Sequence, residues 1–120
     1  MGSEIKNYKD LLVWQRGMDL AVTVYNLSKK LPKGEQFGLT SQLKRASASV
    51  PSNIAEGYGR QSTGSYKQFL SISRGSLLEL ETQILLCIRL GFLEPTDADI
   101  ILEDINILSK MLSSLIIKLQ

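Results

Sequence analysis

Ser49-Val50-Pro51-Ser52-Asn53-Ile54-Ala55-Glu56-Gly57 is the stretch on which the fold turns, because a proline stands in the middle of it. An interior proline removes one backbone N–H and crowds the preceding turn, costing a helix about 3 kcal/mol if nothing compensates. Two readings compete. A helix from about Gln36 to Arg60 is kinked at Pro51, with the Ser47 or Ser49 hydroxyl serving the freed backbone groups. Alternatively the helix breaks, and Asn53-Ile54-Ala55-Glu56 opens a new one as a capping box. Leu39, Leu43, Ala46, Val50 and Ile54 keep three- and four-residue steps straight through the proline, which favours the kink.

The same steps recur on either side, between breaks at Leu31–Gly34, Gly57–Gly64 and Gly91–Thr96. Upstream, a helix over about 10–30 carries two apolar seams. One holds Leu11, Trp14, Met18, Ala21 and Tyr25, and the other Val13, Leu20, Val24, Leu27 and Leu31. That arc is wider than one side of a monomeric bundle needs, so part of it is expected to be covered by another subunit. Downstream, helices are expected over about 65–90 and 97–119. The first of these ends at Gly91, and the second is capped by Thr96. Cys87 falls on the apolar seam of the third helix and reads as a core residue. No alternating strand pattern competes. The expected architecture is all-α: an up-down-up-down antiparallel four-helix bundle, one domain over 1–120.

Composition narrows the chemistry. The 120 residues include no histidine and one cysteine. A Ser-His-Asp or Cys-His arrangement, a Glu-x-x-His metal pair, an internal disulfide and a thiolate cage are all excluded. The glycines of Gly57-Tyr58-Gly59-Arg60 follow a helix and lack the Lys-Ser/Thr ending of a phosphate loop. No catalytic residue, metal ligand or cofactor is therefore expected. The apolar run Ile100–Leu119 is interrupted by Glu103, Asp104, Asn106 and Lys110, too polar to span a bilayer. A lone thiol fits a reducing compartment, and a cytoplasmic protein is expected.

Charge is uneven. Residues 1–78 carry a net +6 and residues 79–120 a net −4. Lys44, Arg45, Arg60, Lys67 and Arg74 are the candidate phosphate contacts, against the alternative of solvated faces and salt bridges. Along the second helix Gln42, Arg45, Ser49, Asn53, Glu56 and Arg60 form a polar stripe. Beside it Ala48, Pro51, Ala55 and Gly59 form a small-residue face. Such a stripe either meets solvent or fixes register at a subunit interface through buried polar groups.

Tyr8-Lys9-Asp10-Leu11, Val13-Trp14-Gln15, Phe37-Gly38-Leu39-Thr40, Gln42-Leu43, Ser49–Gly57, Gly75-Ser76-Leu77 and Glu79-Leu80-Glu81 together resemble a bacterial four-helix bundle family. Its members include proteins encoded in intervening sequences of 23S ribosomal RNA genes and the accessory variability determinant of diversity-generating retroelements. The resemblance spans nearly the whole chain. It implies a homopentamer without enzymatic activity, and retroelement members bind nucleic acid and associate with a reverse transcriptase. Carried onto this sequence, it puts the Ser49–Gly57 and Gly75–Glu81 stretches on a subunit-packing surface; with the polar stripe, the interface candidates are Gln42, Arg45, Ser49, Pro51, Asn53, Glu56, Gly57, Ser76 and Glu79. The five basic candidates would then supply any RNA or DNA surface. The implied partners are copies of the chain, RNA or DNA, and a reverse transcriptase or another protein. The competing expectation is a protein-interaction scaffold that binds no nucleic acid.

Overall fold

A computed structural model describes residues 4–119. Four α-helices account for most of them: α1 (Leu12–Ser28), α2 (Leu39–Tyr58), α3 (Thr63–Arg89) and α4 (Pro95–Lys118). Each helix packs on two others, α1 on α2 and α4, and α3 on α2 and α4. The helices therefore stand at the corners of a square, with α1 diagonal to α3. The molecule is an all-α four-helix bundle measuring 45 × 26 × 20 Å. Leu43, Val50, Ile54, Leu70, Leu77, Leu80, Ile84 and Leu112 are fully buried at its centre, together with Cys87. At about 1.5–3 kcal/mol per buried aliphatic side chain, this core is the main force holding the helices together.

The helix ends differ from the sequence reading by a turn or less, for local reasons. Tyr8–Asp10 form a 3₁₀ turn capped by Asn7, so α1 starts at Leu12 and stops at Ser28. A second 3₁₀ turn at Lys33–Glu35 delays α2 to Leu39. There Glu35 Oε1 accepts the Leu39 N–H at 3.1 Å, filling the capping role that Gly38 lacks a side chain to perform. Ser62 caps α3 by accepting from Ser65 N at 3.1 Å. Gly91 closes α3 with φ of +81°. Its N–H bonds Ile88 O and the Phe92 N–H bonds Cys87 O, the paired pattern that uses up a helix's last carbonyls.

The cap of α4 is a correction. Thr96 was the expected cap, but it lies inside the helix. Pro95 occupies the first position, where its missing N–H costs nothing, and Glu94 with Asp97 forms the capping box. Asp97 Oδ2 accepts the Glu94 N–H at 2.8 Å. Its other oxygen holds Lys30 Nζ at 2.8 Å, tying α4 back to the end of α1.

The proline is accommodated without a break. One helix runs from Leu39 to Tyr58 with Pro51 inside it, so the second capping box at Asn53–Glu56 does not form.

Candidate functional site

The turn around Pro51 is where three helices meet. Pro51 is buried on the α1 side, against Gly17. A Cβ placed on Gly17 would sit 3.4 Å from Val50 Cγ1 and 3.5 Å from Pro51 Cβ, ordinary contact distances, so α1 lies close upon the proline turn with room for one more carbon. From the other side, Ser73 on α3 donates to the Val50 carbonyl at 2.9 Å. Ser73 is a fully buried donor that locks α3 to α2.

The polar stripe of α2 faces α3 of the same chain. Asn53 Nδ2 donates to Ser49 O at 2.8 Å and to Ser49 Oγ at 2.9 Å, and Ser49 Oγ lies 2.9 Å from Ser76 Oγ. One turn further along, Arg45 Nη2 donates to Gln42 Oε1 at 2.8 Å and to Glu79 Oε2 at 2.5 Å. Gln83 Nε2 adds a 3.3 Å bond to the same carboxylate. The structure thus gathers Gln42, Arg45, Ser49, Asn53, Ser76 and Glu79 on one seam between two helices of one chain. The register-fixing role expected between subunits is available here without a second copy. Glu56 stands apart, exposed and paired to Arg60 at 2.7 Å. Gly57 is buried under α3, where a Cβ would lie 2.6 Å from Phe69 Cβ.

The five basic candidates do not converge. Lys44 leans toward α1, its Nζ 5.2 Å from the centre of the Tyr25 ring. Arg45 turns the other way, to Glu79. Arg60 sits at the end of α2 with its guanidinium 4.7 Å from the Phe69 ring centre. Arg74 reaches α4, donating to Ser113 Oγ at 2.9 Å. Lys67, on α3, is partly buried and also has an interaction partner. The charge predicted from sequence is therefore spread over several helix seams.

Several grooves open on the surface of the described residues. One, of about 370 Å³, lies between α1 and α2 over Ala48, Pro51 and Ser52, walled by Met18, Val22 and Tyr25. These three walls are exposed by 42%, 61% and 43%. The wide apolar arc of the first helix is thus real, and only its inner half is covered. Another groove, about 400 Å³ between α1 and α4, sets Arg16, Asp19 and Asp104 above Leu20 and Leu108. No cluster of three His, Cys, Asp or Glu side chains able to hold a metal occurs among the described residues. No helix of the described residues is long and apolar enough to cross a membrane.

The outward side of α3 carries Gly75 and Leu78, part of the Gly75–Glu81 stretch that the resemblance assigns to subunit packing. Ile72 and Leu78 are exposed by 47% and 58%, and Gly75 stands between them with nothing within 4 Å of where its Cβ would be.

Burial raises the Cys87 thiol, with Glu35 adding to it. Burial also raises Tyr66, helped by Tyr58, whose ring it meets edge-on at 5.9 Å. Asp97 is lowered, first by its bond to Lys30 and then by the Glu94 N–H.

The sequence profile of the 23S rRNA-intervening sequence protein family matches residues 9–114. A crystal structure of a protein of unknown function from Bacteroides thetaiotaomicron, assigned to the S23 ribosomal protein family, superposes with a TM-score of 0.81 at 27% sequence identity. The match covers 88% of this chain and 98% of that one. No functionally curated protein matches the chain.

Proposed function

From the premise that this chain belongs to the 23S rRNA-intervening sequence protein family, we propose that it is a non-enzymatic assembly module that joins copies of itself into a homopentamer. The observation carrying this reading is the uncovered apolar wall of α1. Met18, Val22 and Tyr25 line a groove beside Ala48 and Pro51 instead of packing inward. A contiguous apolar patch of this kind on a soluble protein marks an interaction surface. Sedimentation equilibrium tests it: the assembled species should weigh about five times the 13.4 kDa chain. A monomer throughout the accessible concentration range removes the proposal.

A second activity, weak RNA or DNA contact, is favoured by the net +6 of residues 1–78. Arg45 and Arg60 lie in exposed ion pairs. Such pairs are worth only about 0.2–1 kcal/mol, so a phosphate competes for either guanidinium at little cost. Repetition around a ring multiplies weak contacts by avidity. Gel retardation of RNA and of DNA at low salt tests this, with log K falling against log salt at about −0.9 per phosphate neutralised on duplex DNA. Lys44→Glu with Arg45→Glu should weaken retention, compared at equal assembly state. Absence of any shift at low salt leaves the alternative, a pure interaction scaffold or an accessory subunit of a reverse transcriptase or other protein.

A further inference from the structure

We infer that the groove between α1 and α4 binds a free basic α-amino acid of the lysine or ornithine type. Arg16 takes its carboxylate, Asp19 its α-ammonium and Asp104 its side-chain ammonium. The inference does not depend on the assembly reading, because this groove shares no lining residue with the one over Pro51.

The register of the two helices sets the order of the charges. Lys30, just beyond α1, bonds Asp97 in the first turn of α4 at 2.8 Å. At the other end, Leu11 and Val13 lie beside Met111 and Leu115. The two helices therefore run antiparallel. Thr23 stands seven residues before Lys30 and Asp104 seven after Asp97, so the two are level, and both line the groove. Asp19 lies about 6 Å along the axis from Thr23, and Arg16 about 4.5 Å further, at 1.5 Å per residue. Along its length the groove thus presents a guanidinium, a carboxylate and, from the opposite wall, a second carboxylate. Leu20 and Leu108 lie beneath them.

All three charges are uncommitted. The neighbouring polar groups are spent on the main chain: Gln15 Nε2 donates to Lys9 O at 2.9 Å, and the Thr23 hydroxyl to Asp19 O at 3.0 Å. The side chains of Arg16, Asp19 and Asp104 make no ion pair or hydrogen bond among the described residues, although Asp104 is partly buried. Two carboxylates sharing a groove with no cation between them repel, and a bound ammonium relieves that repulsion. A simple anion would meet both carboxylates, and a simple amine would leave Arg16 unused. A basic amino acid carries the complementary set, one carboxylate and two ammonium groups. Its connectivity also agrees. The carboxylate and α-ammonium share a carbon, matching Arg16 and Asp19 one turn apart on one helix. The second ammonium stands off on an aliphatic chain, which crosses Leu20 and Leu108 to reach Asp104. A volume of about 400 Å³ is ample for such a molecule. A lysine at the end of a peptide lacks the α-ammonium, which selects the free amino acid.

The experiment is calorimetric titration with L-lysine and with three analogues that each lack one group: norleucine, Nα-acetyl-lysine and cadaverine. Lysine should bind saturably, and each analogue at least about tenfold more weakly, the loss expected of one charge-assisted bond. Asp104→Asn should abolish the preference for lysine over norleucine, and Arg16→Gln the preference for lysine over cadaverine. Both positions lie on the groove wall outside the core, and circular dichroism establishes that the variants are folded. Absence of saturable lysine binding at millimolar concentration overturns the inference. So does equal binding of lysine and norleucine, or an Asp104→Asn variant that keeps the full preference.

Discussion

Ser73 on α3 gives its hydroxyl proton to the main-chain oxygen of Val50, the residue immediately before Pro51, at 2.9 Å. The proline turn of α2 is thus held from one side by a hydrogen bond and from the other by the close approach of Gly17. Pro51 cannot donate to the carbonyl four residues back. Helices packed on both sides of the turn compensate for that loss, and they explain why α2 continues through the proline.

Ser73→Ala should lower stability by about 0.5–1.5 kcal/mol, the usual net worth of one intramolecular hydrogen bond. The Ser73 side chain is fully buried, so water cannot replace it. A lowered urea midpoint with an unchanged slope is the expected readout. An unchanged midpoint means that the α2–α3 bond carries no net stability.

Gly57 and Gly17 make opposite predictions for the same substitution. Gly57→Ala should destabilise by about 1–3 kcal/mol, the range for overpacking, because the new carbon meets Phe69 Cβ at 2.6 Å and the Tyr66 carbonyl at 3.3 Å. Gly17→Ala meets Val50 Cγ1 at 3.4 Å, an ordinary contact, and gains helix propensity. It should be neutral or stabilising by up to about 1 kcal/mol. Thermal melts of the two variants side by side decide between close packing at both sites and at Gly57 alone.

Cys87 should react with thiol reagents only when the bundle opens. Its side chain is fully buried, and burial raises the thiol above its ordinary range, which lowers the reactive thiolate fraction further. Labelling by a neutral disulfide reagent should be slow in buffer and fast in denaturant. Rapid labelling of the folded chain would contradict the burial of this seam.

The helices were legible because their apolar periods are long and regular, and Leu39 to Ile54 keep step even through Pro51. Gly91 was legible as a stop because only glycine readily takes its positive φ. The direction of the polar stripe was not. Periodicity says that Gln42, Arg45, Ser49 and Asn53 share a face, but not whether that face meets solvent, a sister helix or another subunit. Their partners Ser76 and Glu79 lie 27 and 34 residues away from Ser49 and Arg45. The spread of the basic candidates over different seams was hidden for the same reason. Lys44 and Arg45 are adjacent in sequence, yet a 100° turn of the helix sends one toward α1 and the other toward α3. The α4 cap was within reach, since Pro95 marks a first helical position and Glu94 precedes it.

The Lys30–Asp97 contact should give the bundle an acid-sensitive joint between the end of α1 and the start of α4. Asp97 is lowered by the bond to Lys30 first and by the Glu94 N–H second. A carboxyl whose folded value lies below its unfolded value of about 3.9 binds protons more readily when unfolded. Its contribution is therefore fully present above that unfolded value and is lost as pH falls through the folded one. Asp97→Asn removes the ionisation while keeping the side chain's size and one acceptor for the Glu94 N–H. The melting temperature of the wild type should exceed that of Asp97→Asn at pH 6, and the gap should narrow as pH falls below about 4. Lys30→Met should reproduce the narrowing, because the lysine is the larger cause of the shift. A gap that stays constant down to pH 2.5 would show that Asp97 titrates alike in the folded and unfolded chain.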